Sequence, residues 1–190
     1  MAFEYEHLII DLPDYPVPGV VFKDITPVVA DPQAFASTID GIADHFIGKG
    51  ITKVIGAEAR GFIVGAPVAA RLGAGFIPAR KPGKLPRATY RADYQLEYGS
   101  DALEIHQDAL SPDDVVLIVD DLVATGGTVR ALVKLVQETG ATLVGMGFLL
   151  ELAFLNPRKV IAEETDAEVC SLVQASSENT SASVASAMTL

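Results

Sequence analysis

The sequence predicts an α/β fold with a mostly parallel central sheet flanked by helices. Residues 115–119 form an unbroken aliphatic run, which suits a strand that helices cover on both faces. Similar short apolar segments at 51–57, 75–79 and 142–150 alternate along the chain with segments of helical periodicity. With 190 residues and 49% hydrophobic side chains, the chain is long and apolar enough to bury the core of one domain.

The first helix is predicted at residues 31–46, where apolar residues recur at helical spacing and Pro32 lies in the first turn. A strand at 51–57 follows. The next helix is expected within 61–72 and should begin late, because Pro67 is tolerated best in a first turn. Gly73 ends this helix, and a strand at 75–79 follows it.

Residues 90–105 alternate in polarity and contain the turn signal Gly99-Ser100-Asp101, which predicts an antiparallel hairpin. After the strand at 115–119, apolar residues recur at i, i+3, i+4 and i+7 from Val129 to Val136, so a helix should end near Gly140. A strand at 142–150 comes next. A short helix is expected at 156–162 and a last strand at 168–173. The tail, 175–190, is rich in Ser, Ala and Thr and is expected to be disordered.

Asp120 and Asp121 directly follow the buried strand at 115–119, at the carboxyl end where parallel sheets bind ligands. The loop at 124–128, Ala-Thr-Gly-Gly-Thr, lets successive N–H groups converge on an anion at the start of a helix. The two acids would repel a phosphate, so we expect them to accept hydrogen bonds from ribose hydroxyls. The alternative is a strand, turn and helix with an acidic N-cap and no ligand.

Charge and composition exclude several classes of function. The net charge of -11 argues against nonspecific nucleic-acid binding, and no apolar segment of about 18 residues predicts a membrane span. One cysteine, Cys170, excludes an internal disulfide, and the acidic amino-terminal segment is unlike a targeting signal, so a cytoplasmic protein is expected. Five cations nevertheless cluster in one irregular loop region, where they could bind a diphosphate: Arg80, Lys81, Lys84, Arg87 and Arg91.

The segment 119–128, Val-Asp-Asp-Leu-Val-Ala-Thr-Gly-Gly-Thr, resembles the phosphoribosyl diphosphate (PRPP) signature of type I phosphoribosyltransferases. Four further segments, 18–25, 58–62, 80–86 and 94–99, resemble adenine phosphoribosyltransferases, and the similarity covers roughly residues 12–173. The resemblance implies the type I phosphoribosyltransferase fold in one domain at 1–174. Within it, a small hood is expected at about 1–25 and a flexible β-hairpin loop at about 80–105.

The reaction implied by the resemblance is purine salvage, in which adenine and PRPP give AMP and diphosphate with Mg2+ as cofactor. The ion would be held mainly through PRPP, with Asp120 and Asp121 contacting it directly or through water. The PRPP- and AMP-binding residues that the resemblance implies are Arg60, Arg80, Lys81, Lys84, Asp120, Asp121, Ala124, Thr125, Gly126, Gly127 and Thr128.

Glu97, Arg60 and Tyr98 are the catalytic residues that the resemblance implies, with the acid stabilising the cationic sugar or helping with the base proton. An alternative role for Arg60 is a surface salt bridge to Glu58. The residues implied to bind adenine are Val21, Phe22, Lys23 and Leu152. At position 23 the family often has arginine, so base affinity is in doubt if that side chain, rather than its backbone, contacts the base.

The family also implies a homodimer in which the loop at about 80–87 lies near the partner subunit. Two other functions remain open from the sequence. One is a phosphoribosyltransferase for hypoxanthine, guanine or xanthine. The other is a non-catalytic regulator that senses PRPP, although such regulators usually carry a DNA-binding extension and this chain has no spare basic domain.

Overall fold

The central sheet of the protein has five parallel strands. The structure is a computed structural model that describes residues 3–95 and 100–176. The strands follow the order β4 (Gly75–Ala79), β3 (Lys53–Ala57), β7 (Val115–Val123), β8 (Thr142–Leu152) and β9 (Glu168–Ala175). All four neighbouring pairs are parallel, so the carboxyl ends of the strands meet at one edge. The predicted parallel sheet is confirmed.

Helices cover both faces of this sheet. On one face α4 (Gly127–Thr139) and α5 (Pro157–Ala162) pack against side chains of β7 and β8 such as Ile118 and Phe148. On the other face α2 (Pro32–Phe46) and α3 (Arg60–Leu72) pack against Leu117 and Val119 of β7. Because apolar side chains alternate between two buried faces, β7 needs the unbroken aliphatic run that predicted it. A short helix α1 (Thr26–Ala30), which the sequence analysis did not predict, precedes α2.

Two glycines in β8 allow α2 to approach the sheet closely. A Cβ on Gly145 would lie 2.2 Å from the Phe46 ring, and one on Gly147 would lie 2.5 Å from Ile42. Both distances are far below van der Waals contact. Phe46 and Ile42 are 1% and 0% exposed. Both side chains can be buried against β8 because Gly145 and Gly147 have no side chains.

Helix α3 begins at Arg60, and the prediction that it begins late, with Pro67 in its first turn, is wrong. Pro67 lies inside the helix. The proline removes the hydrogen bond to the carbonyl of Ile63, but Ile63 is 42% exposed, so that carbonyl lies on the solvent side of the helix. Val64 and Val68 are fully buried on the opposite side, and their burial offsets the lost hydrogen bond.

Two antiparallel hairpins complete the described part of the fold: β1 (Ile10–Pro13) with β2 (Val21–Asp24), and β5 (Thr89–Gln95) with β6 (Ser100–His106). The first lies within the predicted hood. In the second, Ser100 and Asp101 begin β6 and do not form the predicted turn, while Gly99 lies outside the described residues.

The end of the described chain also differs from the prediction. Strand β9 continues to Ala175, which is 2% exposed, so the first residue of the predicted tail belongs to the sheet. Residues 177–190 lie outside the described residues. In the part of the chain that the structure describes, no helix is both long enough and apolar enough to cross a membrane.

Candidate active site

A cleft of about 270 Å³ opens at the carboxyl edge of the sheet. The ends of β3 and β7 form its floor, and the loop before α4 forms one wall. The residues that line it are Ala57, Glu58, Ala59, Arg60, Lys81, Tyr94, Leu103, Asp120, Asp121, Leu122, Val123, Ala124, Thr125, Gly126, Gly127, Thr128 and Val129. The cleft therefore brings together nine of the eleven predicted PRPP- and AMP-binding residues, all except Arg80 and Lys84.

Asp120 and Asp121 lie within β7, which continues past them to Val123, whereas the sequence analysis placed them at the end of the strand. They are 7% and 3% exposed, and both line the cleft floor. Asp120 Oδ1 accepts a hydrogen bond of 2.9 Å from the Asp121 N–H. A Cβ on Gly61, at the start of α3, would lie 2.6 Å from the same oxygen. The Asp120 carboxyl group can therefore occupy this position because Gly61 has no side chain.

The two carboxyl groups hold protons more tightly than isolated aspartates. Burial raises the pKa of Asp120 well above its ordinary value, and the negative charge of Asp121 raises it further. Burial also raises the pKa of Asp121, while the guanidinium of Arg60 opposes that shift. A donor-rich ligand, such as a ribose with two adjacent hydroxyls, would supply the hydrogen bonds that two buried carboxylates need.

The loop at 124–128 turns into α4 as the sequence predicts. Gly126 has a φ of +89°, in the left-handed region, and α4 begins at the next residue, Gly127. A Cβ on Gly126 would also lie 3.2 Å from Val160, so both backbone conformation and packing favour glycine. The first turn of α4 has no side-chain cap, and its N–H groups at the cleft wall are donors for an anion.

Arg60 connects the floor of the cleft with the hood. Its Nε lies 3.1 Å from Asp121 Oδ2, and its guanidinium carbon lies 5.5 Å from the centre of the Phe22 ring. The alternative of a salt bridge between Arg60 and Glu58 is wrong. Glu58 instead accepts hydrogen bonds from Arg80 Nη2 at 2.9 Å and from the Lys81 N–H at 2.6 Å.

The predicted basic cluster divides into groups with different partners. Lys81 lines the cleft, and Arg80 is held beside it by Glu58. Lys84 does not line the cleft, but its charge is close enough to help lower the pKa of Glu58, although burial of that carboxyl acts in the opposite direction. Arg87 pairs with Asp108 and Arg91 with Asp93, both at exposed positions. The structure thus brings Arg60 and Lys81 directly to the cleft.

The residues predicted to bind adenine are not among those that line the cleft. Val21, Phe22 and Lys23 lie on β2, and Leu152 ends β8. Phe22 adjoins the cleft through Arg60. The ammonium of Lys23 is 2.7 Å from Asp11 Oδ1, and the residue is only 3% exposed. Its side chain therefore pairs within the hood hairpin, and Lys23 does not line the cleft.

Tyr94 and Leu103, on β5 and β6, line the cleft although the sequence analysis did not single them out. The alternation of the hairpin predicted strands, but it did not show which face meets the cleft. Tyr94 is 9% exposed, and burial raises the pKa of its phenol, with further contributions from the nearby side chains of Asp101 and Thr128. Glu97 and Tyr98, predicted to be catalytic, lie outside the described residues.

Comparisons with known proteins agree with this architecture. The family model described as a phosphoribosyl transferase domain matches residues 29–185. The adenine phosphoribosyltransferase of Francisella philomiragia is 56% identical over 155 residues, which cover 80% of this chain and 89% of that protein. The one from Myxococcus xanthus is 57% identical over 145 residues, covering 76% and 79% of the two chains.

Solved structures give the same result. The crystal structure of adenine phosphoribosyltransferase from Thermoanaerobacter pseudethanolicus has a TM-score of 0.85 and 47% identity, covering 90% of this chain and 98% of that one. The enzyme from Giardia lamblia complexed with 9-deazaadenine has a TM-score of 0.86 and 34% identity, covering 92% and 98%. The chain therefore belongs to the phosphoribosyltransferase family and, within it, to the adenine phosphoribosyltransferases.

Proposed function

We propose that this protein transfers the 5-phosphoribosyl group of PRPP to adenine, giving AMP and diphosphate in purine salvage. The observation that carries the proposal is the cleft in which two buried aspartates adjoin a glycine-rich anion loop at the start of α4. This arrangement fits a phosphorylated pentose, since the loop binds the 5'-phosphate while Asp120 and Asp121 accept hydrogen bonds from the ribose hydroxyls.

The cations at the cleft fit the departure of diphosphate. When the bond to the anomeric carbon breaks, negative charge moves to the leaving group and the sugar becomes cationic. Cations placed at the leaving group stabilise that change. Arg60 and Lys81 line the cleft, and Arg80 and Lys84 lie behind them around Glu58. We assign all four to the diphosphate.

Adenine would bind on the hood side of Arg60. Phe22 offers its ring for stacking, and the backbone groups of Val21 and Lys23 can read the amino group and ring nitrogens of the base. Leu152 would close the other face. The resemblance that first pointed to Glu97 and Tyr98 remains the reason for assigning them to stabilisation of the sugar cation and to closure of the site.

Mg2+ is the cofactor that fits this donor set. The described ranges contain no group of three or more His, Cys, Asp or Glu side chains able to hold a metal ion. Mg2+ bound through substrate phosphates needs few protein ligands, and Asp120 and Asp121 are the carboxylates available at the cleft, directly or through water. The ion would neutralise charge on the diphosphate oxygens as they leave.

We also propose a cytoplasmic homodimer built from one domain at 1–174. The exposed cations Lys84 and Arg87 support a contact between the loop at 80–87 and a partner subunit. The single cysteine, Cys170, fits a reducing compartment, because it forms no disulfide within the chain. Light scattering of the purified protein tests the dimer, with twice the 20.0 kDa chain mass expected.

Two other functions are less well supported. A preference for hypoxanthine, guanine or xanthine finds no support in the relatives at 53–57% identity, which are all named for adenine. A PRPP sensor without catalysis finds no support there either, since the same relatives are named as transferases. Competition between the bases distinguishes the first alternative from transfer to adenine. Measurement of turnover distinguishes a PRPP sensor from an enzyme.

The experiment is to incubate the protein with Mg2+, PRPP and each of the four bases and to measure nucleotide formation. We expect AMP from adenine and no product from the 6-oxopurines. The double variant Asp120→Asn/Asp121→Asn should lose activity by roughly a hundredfold or more while staying folded, because two hydrogen bonds to charged groups of roughly 1.5 to 3 kcal/mol each are lost.

A matched control is Asp40→Asn/Asp44→Asn. It removes two exposed carboxylates of α2 that pair with Arg71 away from the cleft, and it should leave the rate unchanged. PRPP binding without AMP formation by the unchanged protein would favour the sensor. Equal rates for the two double variants would contradict the role given to Asp120 and Asp121.

A further inference from the structure

A chain of polar side chains joins the β5–β6 hairpin to the cleft and includes two residues, Asp101 and Tyr94, that the proposed function does not use. Asp101, at the start of β6, pairs in register with Tyr94 of β5. Tyr94 lines the cleft together with Thr128 of the anion loop, and the side chains of Asp101 and Thr128 both lie close enough to the Tyr94 hydroxyl to shift its pKa. Asp101 Oδ2 also lies 2.9 Å from the ammonium of Lys81.

The charge states of Asp101 and Tyr94 determine the direction in which a hydrogen bond between them can run. The hydrogen bond from Lys81 and the Ala102 N–H hold the pKa of Asp101 below its usual range, so Asp101 is a carboxylate at neutral pH. Burial raises the pKa of Tyr94, and the charge of Asp101 raises it further, so Tyr94 is a neutral phenol. A hydrogen bond between these two side chains would therefore run from the Tyr94 hydroxyl to Asp101, which leaves the phenol oxygen as an acceptor for the Thr128 hydroxyl.

Three of these four residues, Lys81, Tyr94 and Thr128, line the cleft, whereas Asp101 does not. Asp101 thus lies behind the cleft, next to Tyr94 on the side of the anion loop and paired with Lys81 on the side of the diphosphate cations. Its side chain is 22% exposed, so the contacts are partly screened from water and still directional.

We propose that Asp101 is a positioning residue for PRPP. It fixes the Lys81 ammonium at the diphosphate end of the cleft and, through Tyr94, fixes the Thr128 hydroxyl at the 5'-phosphate end. The distance between the two anion-binding groups is thereby set by one carboxylate. This inference rests on the proposed function, since it requires a ligand with anionic groups at both ends.

The substitution Asp101→Asn keeps the shape of the side chain and removes its charge. We expect kcat/KM for PRPP to fall roughly tenfold, with the loss mainly in the KM for PRPP, because a charge-assisted hydrogen bond is about twice as strong as a neutral one. The KM for adenine should stay within about twofold of the unchanged protein, since Val21, Phe22 and Lys23, which are assigned to the base, lie on a different hairpin from Asp101. A merely structural defect would change both substrates together.

Asp93→Asn is the matched control. Asp93 lies on β5 next to Tyr94, but its side chain is 65% exposed and pairs with exposed Arg91 at 2.7 Å, so its loss should not change either KM. If Asp101→Asn fails to fold, Tyr94→Phe removes the same hydroxyl link while keeping the ring, and the same rise in the KM for PRPP is expected.

A double-mutant cycle completes the test. If Asp101 acts through Lys81, then Asp101→Asn should cost much less in a Lys81→Ala background than in the unchanged protein. An unaltered KM for PRPP in both Asp101→Asn and Tyr94→Phe would overturn the inference, and so would equal losses for PRPP and adenine. If the unchanged protein forms no AMP, the proposed function fails first and this inference fails with it.

Discussion

Arg60 stacks over Phe22, with its guanidinium carbon 5.5 Å from the ring centre, while its Nε lies 3.1 Å from Asp121. One side chain therefore contacts the residue assigned to the base and a residue assigned to the sugar. The side chain is 44% exposed, so neither contact buries it.

Arg60→Ala should weaken PRPP use far more than adenine binding. The substitution removes a cation assigned to the diphosphate, whereas Phe22 keeps its ring and loses one cation–π contact of about 0.5 to 1 kcal/mol. We expect kcat/KM for PRPP to fall at least roughly a hundredfold and the KM for adenine to change by less than about fivefold. Steady-state kinetics with each substrate varied in turn measures both.

Arg71→Ala is the control for this change. Arg71 is 43% exposed and pairs with Asp40 and Asp44 on α2, so it matches Arg60 in exposure and ion pairing without touching the cleft. It should leave both kinetic constants unchanged. Equal losses on PRPP and adenine in Arg60→Ala would contradict a role at the diphosphate.

Gly61→Ala should inactivate the protein by displacing Asp120. The new Cβ would lie 2.6 Å from Asp120 Oδ1, so the carboxyl group or the start of α3 must move. We expect an activity loss of at least roughly tenfold and a destabilisation of about 1 to 3 kcal/mol. Kinetics and urea denaturation measure the two effects.

Gly65→Ala separates the effect on activity from the effect on stability. It lies one turn further along the same helix, gains the same helix propensity and meets the Phe76 ring at 2.8 Å instead of a cleft residue. Its stability should fall while its activity per folded molecule is retained. If both variants keep full activity, the close packing of Gly61 on Asp120 does not determine the geometry of the site.

Glu151→Gln should destabilise the protein in a pH-dependent way. Glu151 is 2% exposed and accepts two hydrogen bonds of 2.8 Å from Arg158. Burial raises its pKa, but the hydrogen bonds and charge of Arg158 lower it more, to a net value below the ordinary 4.5. At pH 7 the substitution should reduce the free energy of unfolding by about 1 to 3 kcal/mol.

The sign of the pH dependence follows from that lowered pKa. The carboxylate of the folded protein contributes its full stabilisation above the ordinary pKa and loses it as the pH falls through the lower, folded value. The difference between the unchanged protein and Glu151→Gln should therefore shrink below about pH 4.5. Glu163→Gln, an exposed partner of Arg130, should change stability by less than about 1 kcal/mol at every pH. Urea titrations at several pH values would refute this account if the Glu151→Gln difference stayed constant.

Truncation after Ser176 should leave AMP formation and melting temperature unchanged. The core contacts of the described chain end with β9, whose last residue, Ala175, is buried. Truncation after Val173 is the matched comparison, because it removes Ala175 and also Gln174, which donates to Glu151. That shorter chain should melt at a clearly lower temperature. A large loss of rate in the longer chain would show that residues 177–190 contribute to the site.

Local patterns were sufficient to predict most of the fold. The aliphatic run at 115–119 predicted a strand buried on both faces, and helical spacing from Val129 predicted α4 and its end at Gly140. Both signals depend on neighbours within a few residues. Pro67 misled the analysis because local chemistry disfavours it inside a helix, whereas the burial of Val64 and Val68 is a tertiary effect.

The sequence predicted most of the residues that form the site, but it did not predict which of them contact one another. The segment 119–128 identified the aspartates and the anion loop because they are contiguous. The contacts of Tyr94 with Thr128 and of Arg60 with Phe22 join residues more than thirty positions apart in sequence, and they depend on how a hairpin packs on a sheet. No periodicity in one chain encodes that placement.

Strand β7 is the middle strand of five and carries Asp120 and Asp121. Its amide hydrogens should be among the slowest in the molecule to exchange with solvent, at a rate set by global unfolding. We expect any part of the molecule that opens and closes around a substrate to lie outside this strand, in less stable peripheral segments. The floor of the cleft, where the sugar is proposed to bind, would then keep the same position throughout turnover.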